Sequence, residues 1–389
     1  MADVHDIVGV PRETFPGETR VALVPLLVPV LIHAGFDVAI ESCAGEAAGY
    51  PDGSYEEHGA SIASRDEVLA ASVLLQVRTL GANPDAGRPD LDRLHPGQVI
   101  VGLGEPLVAA GSLAELARHG VVVFAMELIP RIARAQSMDV LSSQSTIAGY
   151  KAVVLAAERL PKLFPMLTTA AGTVAPARVF VIGAGVAGLQ AIATARRLGA
   201  LVEAYDVRPA AQDDVESLGA RLIPLPQQPS DVEDASGYAT VLGDDFIRRQ
   251  QEHLTKVVAG VDVVITNAAI PGGRAPVLLT EAGVAAMAHG SVVVDIAAAR
   301  GGNCALTRPD AEVVAHGVMI LGPTNLPATV PFHASQLYAR NVVNFLLHLM
   351  PEGRWEPAWD DEIVRATLVA RDGDIVHPQV RRVLEEVRP

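Results

Sequence analysis

The chain has 389 residues, of which 50% are apolar, and it carries a formal net charge of −15. Its length predicts two domains with cores of their own, and its acidic balance disfavours nucleic acid as a partner because like charges repel. The two cysteines, Cys43 and Cys304, lie outside any Cys-x-x-Cys pair and the eleven histidines show no metal-ligand spacing, so neither a disulfide framework nor a metal site is expected.

Apolar, β-branched runs alternate with helix-length segments, a pattern typical of parallel sheets with crossover helices. The first series of predicted strands comprises Asp6–Val10, Val38–Glu41, Val73–Gln76, Val99–Val101 and Val121–Ala125. The second series comprises Arg178–Ile182, Leu201–Tyr205, Arg221–Ile223, Val261–Thr266, Ser291–Ile296 and Val318–Leu321. Together they are too many for one open sheet. We therefore predict an α/β protein with two doubly wound parallel-sheet domains, one of them a Rossmann dinucleotide-binding domain.

The stretch Leu337–Met350 follows the last predicted strand and reads as a long amphipathic helix. We expect this helix to return to the first domain and to make that domain discontinuous. The predicted N-terminal domain therefore comprises residues 1–138 and 328–389, and the predicted Rossmann domain comprises residues 139–327. A cleft between two such domains is a common location for a ligand.

Polar side chains gather in the run Leu128–Val153, which has no Gly or Pro between Ile132 and Ala148. Met138, Leu141 and Ala148 recur in it at helical spacing. The run therefore predicts a helix with one hydrogen-bonding face along the predicted cleft, and a solvated connecting helix is the alternative.

The sharpest motif is Gly183-Ala-Gly185-Val-Ala-Gly188, which lies between a predicted strand and a predicted helix. Gly183 permits the tight turn, Gly185 leaves room for a pyrophosphate, and Gly188 lets the helix pack close to the sheet. The amides at the start of the helix, including that of Val186, attract a phosphate. Because strand, glycines and helix agree in order and spacing, the motif predicts a dinucleotide site.

The next predicted strand ends at Asp206, 18 residues after Gly188. A carboxylate at this place accepts hydrogen bonds from the ribose hydroxyls and repels a 2′-phosphate, which favours NAD(H) over NADP(H). Val207 and Arg208 follow in the same predicted binding loop. Arg208 has two alternative roles, contact with a 2′-phosphate or an ion pair.

The motifs VGVPRETFPGETRVALVP, VIGAGVAGLQA and VVVDIA resemble the shared family of alanine dehydrogenases and the NAD(H)-binding component of proton-translocating nicotinamide nucleotide transhydrogenase. The resemblance covers the whole chain. By it, alanine dehydrogenases carry a Lys, a His and an Asp where this chain has Arg78, Glu105 and Ala299. Arginine does not exchange protons at working pH, so the amino-acid chemistry is largely missing. Arg20 remains, either from the substrate pocket or as a structural ion pair.

The run PRIARAQSMDVLSSQ is similar to the transhydrogenase signature. By that resemblance Arg131, Gln136, Asp139 and Ser142 surround the nicotinamide and its ribose. We predict that Gln136 and Asp139 set the position of the ring, that Arg131 pairs with Asp139, and that Ser142 supports them. Hydride transfer between two nicotinamides needs no acid or base, only close contact of the rings and exclusion of water.

The resemblance also implies a mobile loop that closes over the nucleotide, matched by DASGYATVLGDDF with Gly237 and Tyr238 at its tip. This loop lies within Pro224–Asp245, a stretch whose length and composition predict either a lid or a disordered segment. Gln250 and Ala269 are nucleotide-binding residues by the resemblance alone, although Ala269 follows a predicted strand end, where an adenine would lie.

The implied assembly is a homodimer that acts with an NADP(H)-binding subunit and a membrane subunit that translocates protons. The chain ends without hydrophobic spans, so we expect a cytoplasmic location, peripheral to the inner membrane through those partners. The expected activity is hydride transfer between NADH and NADP⁺ on a partner subunit. A stand-alone amino-acid dehydrogenase and a non-catalytic NAD(H)-binding regulator are the alternatives.

Overall fold

The computed structural model describes residues 6–224, 244–270, 272–351 and 354–387. Its strands are β1 (Asp6–Val10), β2 (Phe36–Glu41), β3 (Ser61–Ala63), β4 (Val73–Arg78), β5 (Val99–Leu103), β6 (Val122–Ala125), β7 (Leu167–Thr169), β8 (Gly172–Val174), β9 (Arg178–Ile182), β10 (Leu201–Tyr205), β11 (Arg221–Leu222), β12 (Val263–Thr266), β13 (Val292–Asp295), β14 (Glu312–Ala315), β15 (Val318–Leu321), β16 (Leu368–Arg371) and β17 (Asp374–Ile375).

Its α-helices are α1 (Val28–His33), α2 (Asp52–Glu57), α3 (Arg65–Leu69), α4 (Ala110–Ala117), α5 (Val140–Arg159), α6 (Val186–Arg197), α7 (Ala211–Ser217), α8 (Asp244–Val258), α9 (Glu281–Ala286), α10 (Pro331–Leu349), α11 (Glu362–Thr367) and α12 (Pro378–Val387). The chain forms two compact units. Unit 1 comprises Met1–Gln144 and Pro327–Pro389, unit 2 comprises Ser145–Leu326, and the boundary therefore falls within α5. The predicted helix Leu337–Met350 corresponds to α10, which belongs to unit 1.

Unit 1 is built on a sheet with the strand order β17-β16-β6-β5-β4-β1-β2-β3. Strands β1 to β6 are parallel, with the order of a doubly wound domain, whereas β16 and β17 extend the β6 edge in antiparallel fashion. One face of the sheet packs on a core that includes Tyr338 and Phe345 of α10, and the other on a core that includes Leu113 and Leu116 of α4. Because both faces are covered, the central strands are almost continuously apolar.

Unit 2 is built on a second sheet with the order β11-β10-β9-β12-β13-β15-β14. The six strands from β11 to β15 in this order are parallel and follow the Rossmann arrangement, and β14 is an antiparallel edge strand. Helices α5 and α6 pack on one face through Ala152, Ala191 and Ile192, and α8 packs on the other through Leu254 and Val258. The predicted fold class is thereby confirmed.

The prediction of one continuous helix through Leu128–Val153 is wrong for its first half. This half forms two short 3₁₀ turns, Met126–Leu128 and Ala133–Met138, and α5 begins only at Val140. The backbone at Asp139 is extended, and its carboxylate accepts a hydrogen bond from the amide of Ser142. Asp139 is therefore an N-cap, which ends the preceding turn and starts the helix.

Candidate functional site

The loop between β9 and α6 is held by two glycines whose packing leaves no room for a side chain. Gly183 has a φ of +97° and its carbonyl accepts a hydrogen bond of 2.8 Å from Nδ2 of Asn267. A Cβ at Gly188 would lie 1.9 Å from the carbonyl oxygen of Gly183. The backbone of this loop and the first turn of α6 are thus pressed together, as in a strand-to-helix turn that binds a dinucleotide.

Gly185 differs from these two glycines because nothing in the described chain crowds it. It is the N-cap of α6 with φ −75° and ψ −169°, and a Cβ there would meet no described atom within 4 Å. No described side chain caps this helix, and its first turn contains no acidic residue. The helix start therefore offers amides and a positive dipole end to an anion, with Val186 exposed beside them. This donor set fits a pyrophosphate.

Asp206, at the end of β10, is buried and bound on both carboxylate oxygens. Oδ2 accepts from the amide of Ala184 at 2.7 Å, and Oδ1 accepts from the amide and Nε of Arg208 at 2.9 and 3.0 Å. Of the two roles predicted for Arg208, an ion pair is the one that is present. Val207 between them is half-buried. A ribose hydroxyl donating to Oδ1 would compete with Arg208 for that oxygen.

Residues that the sequence analysis did not select shape the loop after β12. Oδ1 of the fully buried Asn303 accepts from the amide of Ala268 at 2.9 Å, and Nδ2 donates to the carbonyls of Ala268 and Pro276 at 2.8 Å. Ala269, the next residue, is exposed. The available signal was an Asn that directly follows Gly301-Gly302 in an otherwise apolar region.

Asp295, at the end of β13, organises the turn that carries Asn303. It is fully buried, and Oδ2 accepts from the amide of Cys304 at 3.0 Å and from the hydroxyl of Thr307 at 2.6 Å. A Cβ at Gly302 would lie 2.6 Å from the same oxygen. Asp295 is thus a scaffold for the loop, and its position at the carboxyl end of a central strand was the signal in the sequence.

Gln250 makes an internal contact. It is buried on α8, and its Nε2 donates a hydrogen bond of 2.8 Å to the phenolic oxygen of Tyr205. Burial raises the pKa of Tyr205 above its ordinary value. Gly237 and Tyr238, the predicted loop tip, lie outside the described residues.

The residues predicted to meet the nicotinamide, Arg131, Gln136, Asp139 and Ser142, lie in unit 1. Arg131 and Gln136 are exposed, and Asp139 and Ser142 are half-buried. Asp139 and Ser142 lie together, because Oδ2 of Asp139 accepts a hydrogen bond of 2.6 Å from the Ser142 hydroxyl. The predicted pairing of Arg131 with Asp139 stays a prediction.

Arg20 lies in a buried charge cluster of unit 1. Its Nε and one terminal nitrogen each donate to Glu18 at 2.7 Å, and its other terminal nitrogen donates to Oε1 of Gln144 at 2.8 Å. Nε of Arg78 donates to the same Glu18 at 2.9 Å. Burial alone would raise the pKa of Glu18, but the two guanidinium groups outweigh it and lower this pKa to about 2. Each guanidinium nitrogen of Arg20 is thus engaged internally, which is the structural ion pair of the two predicted roles.

Two further carboxyl groups of unit 1 have raised pKa values. Burial and the neighbouring charge of Glu18 raise the pKa of Glu13 to about 8, although Glu13 accepts from the amides of Val77 and Arg78. Burial raises the pKa of Glu127 to about 7, while its Oε1 accepts from the amides of Gly104 and Glu105 at 2.8 and 2.7 Å. Both carboxyls hold backbone loops at the carboxyl ends of strands.

Within the described ranges, no group of three or more His, Cys, Asp and Glu side chains could hold a metal ion. In the same stretches of the chain, no helix is long and apolar enough to cross a membrane.

Comparisons with known proteins agree with the resemblance predicted from the motifs and confirm it. The model of the alanine dehydrogenase/PNT N-terminal domain matches residues 9–148, and that of the C-terminal domain matches residues 152–378. The first of the separate parts of NAD(P) transhydrogenase subunit alpha from Rhodospirillum rubrum is 44% identical over 95% of this chain and 98% of its own length. Transhydrogenase from Sinorhizobium meliloti has a solved structure with a TM-score of 0.83 and 40% identity, covering 96% of this chain and 99% of its own. A solved L-alanine dehydrogenase has a TM-score of 0.82 at 26% identity, covering 98% and 100%.

Proposed function

The chain belongs to the alanine dehydrogenase/PNT family, and we propose that it is the NAD(H)-binding component of a proton-translocating transhydrogenase. In this role it transfers hydride between NADH and NADP⁺ bound on a partner subunit. Membership of the family supports oxidoreductase activity with a nicotinamide dinucleotide. The observation that carries the proposal is the uncapped start of α6 at Gly185, a glycine that the chain's own packing does not require.

Unit 2 would bind the dinucleotide through its backbone and one carboxylate. The amides that follow Gly185, including that of Val186, would hold the pyrophosphate, and Asp206 would accept the ribose hydroxyls. A 2′-phosphate placed beside the buried Asp206 carboxylate would be repelled, which favours NAD(H). Arg208 is engaged by Asp206 itself. Gln250, Ala269, Gly237 and Tyr238 remain proposed nucleotide contacts by resemblance.

A bound nicotinamide supplies or accepts the hydride, so that NADH is oxidised, NADP⁺ is reduced, and no proton has to be exchanged with the protein. The chain's own task is then to orient the ring and exclude water. We assign the orientation to Gln136, Asp139 and Arg131, with Ser142 as the residue that holds the Asp139 carboxylate in place.

Partner subunits belong to the proposal. The Rhodospirillum rubrum relative is named as one piece of a subunit, which supports assembly with an NADP(H)-binding subunit and a membrane subunit that moves protons. The hairpin of β7 and β8 supports a homodimer, because Met166 (63% exposed), Leu167 (46%) and Val174 (47%) leave apolar surface on it. The chain would thus work in the cytoplasm, at the inner membrane.

The second candidate is a stand-alone amino-acid dehydrogenase, favoured by the similarity to the L-alanine dehydrogenase structure. Its chemistry needs a group that moves a proton and a cation that binds the substrate carboxylate. Arg20 already donates to Glu18 and Gln144, and Arg78 is bound to the same Glu18. The transhydrogenase proposal requires neither group and is therefore the better supported of the two.

The proposal is tested by mixing the purified protein with an NADP(H)-binding transhydrogenase component. Reduction of an NAD⁺ analogue by NADPH is followed at the absorption band of the reduced analogue. We expect reduction only when both proteins are present. Reduction of NAD⁺ by L-alanine, with this chain alone, would instead establish the second candidate. NADH binding without any hydride transfer would indicate a regulator.

A further inference from the structure

The 3₁₀ turn Ala133–Met138, which carries Gln136, is held by two asparagines from a distant helix. The carbonyl oxygen of Ser137 accepts hydrogen bonds from Nδ2 of Asn341 at 2.8 Å and from Nδ2 of Asn344 at 3.1 Å. These side chains lie three residues apart on α10, and such a spacing places them on one face of the helix. A carbonyl oxygen has two lone pairs, so the two amides together saturate it.

The same turn is anchored at three further points. Ala135 and Met138 are buried in the core of unit 1, while Gln136 and Ser137 are exposed. Arg134 pairs with Asp361 at 2.5 Å, and Asp361 also caps α11 by accepting from the amide of Ile363. Gln136 is thus an exposed side chain on a backbone that is fixed on both sides. Since a 3₁₀ turn has few and poorly aligned hydrogen bonds of its own, the external contacts determine where its backbone lies.

Asn341 is an unusual residue for stability alone. It is buried beside Tyr338, Val342 and Phe345, and its Oδ1 has no hydrogen-bond partner among the described residues. A buried acceptor that is left unsatisfied disfavours folding, whereas an apolar side chain of similar size would not carry this penalty. The favourable feature of the asparagine in this place is its donation to the carbonyl of Ser137.

We propose that Asn341 and Asn344 are positioning residues for hydride transfer. They hold the carbonyl that directly follows Gln136 and thereby fix the direction in which Gln136 meets the nicotinamide. This inference rests on the proposed function, and in particular on the assignment of Gln136 to the ring. It adds two residues that act through the backbone and do not touch the nucleotide.

The test is the double variant Asn341→Leu/Asn344→Ala, compared with Gln136→Ala and with the control Arg340→Ala, an exposed position on the same helix. In the complex with the NADP(H)-binding component, we expect the double variant to lower the rate of hydride transfer about ten-fold. The dissociation constant for NADH should change less than about two-fold, because the nucleotide still finds its other contacts. The melting temperature should stay the same or rise. Arg340→Ala should match the wild type in all three measurements.

Amide hydrogen exchange of the free protein separates the clamp from the reaction. In the double variant, exchange in the peptide that covers residues 133–139 should accelerate about ten-fold, with no change in the central strands of unit 1. Unchanged exchange in this peptide, or a wild-type hydride-transfer rate, overturns the positioning role. A slower reaction accompanied by equally weakened NADH binding and a lower melting temperature also overturns it, since that pattern reports general damage. If exchange rises but the wild type itself shows no hydride transfer with any partner, the proposed function has failed and the role falls with it.

Discussion

The carboxylate of Asp139 accepts two hydrogen bonds from Ser142, one from its amide at 2.9 Å and one from its hydroxyl at 2.6 Å. This contact starts α5 and joins two of the residues that we assign to the nicotinamide. The same carboxylate therefore has a structural task as an N-cap and a proposed functional task as a fixed negative charge.

Asn and Asp are about equally good N-caps, so Asp139→Asn and Asp139→Ala separate these two tasks. Asp139→Ala should lower the free energy of unfolding by about 1 kcal/mol, whereas Asp139→Asn should leave it nearly unchanged. Both should slow hydride transfer by about ten-fold or more if the charge orients the ring. Urea unfolding and single-turnover rates measure the two effects. Wild-type rates for Asp139→Asn would show that the charge has no role in the reaction.

Gly185 and Gly188 should respond to alanine in opposite ways. Gly185→Ala meets no described atom and has a compatible φ, so stability should hold or rise by about 0.4–1 kcal/mol, while NADH binding weakens about ten-fold or more. Gly188→Ala pushes a methyl group into the carbonyl of Gly183 and should cost about 1–3 kcal/mol or more. Thermal melts and NADH fluorescence titrations of both variants test this contrast. Normal NADH affinity in Gly185→Ala would remove the main support for the pyrophosphate site.

The preference for NADH over NADPH should depend on the charge of Asp206. Asp206→Asn keeps an acceptor for the amide of Ala184 but removes the repulsion of a 2′-phosphate and releases Arg208 from its ion pair. We expect the ratio of the NADPH to the NADH dissociation constants to fall about ten-fold, a change worth about 1.4 kcal/mol. Arg208→Ala is the matched control, because it leaves the carboxylate in place and should retain the preference. A ratio that does not move in Asp206→Asn would contradict the assignment of the ribose site.

Glu13 should make the protein less stable as the pH rises. Its pKa is about 8 in the folded chain and ordinarily 4.5, so between these values the folded state binds a proton that the unfolded state has lost. The contribution of this group is fully present below pH 4.5 and is lost as the pH rises to about 8, at up to about 1.4 kcal/mol per pH unit. The carboxyl group of Glu18, with a pKa of about 2, titrates below this window.

Urea unfolding of Glu13→Gln at pH 5, 6, 7 and 8 checks this sign. The free energy of unfolding of the variant should fall less steeply with pH than that of the wild type. Glu56→Gln, a change at an exposed glutamate, should keep the wild-type slope. A Glu13→Gln curve parallel to the wild type would show that Glu13 ionises normally in the folded chain.

The central strands could be predicted from the sequence because parallel strands covered on both faces are apolar throughout. Each of the predicted runs contains a strand of the structure, within a few residues. The strands that were missed, β3, β7, β8, β14, β16 and β17, are short and lie at edges or in the exposed hairpin. Such strands are only partly buried, so their residues carry no continuous apolar pattern.

The candidate site could be predicted only where its chemistry is local. The spacing of Gly183, Gly185 and Gly188 and the strand end at Asp206 are local patterns. The contact between Asn341 and the carbonyl of Ser137 joins residues 204 positions apart, and no periodicity reports such a contact. The helix predicted through Leu128–Val153 failed because an Asp three residues before a Ser, a local N-cap signal, was outweighed by apolar spacing.

The central claim is that hydride passes directly between two nicotinamides without acid or base from this chain. The most direct measurement uses NADPH carrying deuterium at the transferred C4 position, an NAD⁺ analogue, this protein and the NADP(H)-binding component in ordinary water. Mass spectrometry of the reduced analogue should show that it retains the deuterium in full and takes no hydrogen from solvent at C4. A reduced analogue without deuterium, or reduction that proceeds only when L-alanine is present, would contradict the account.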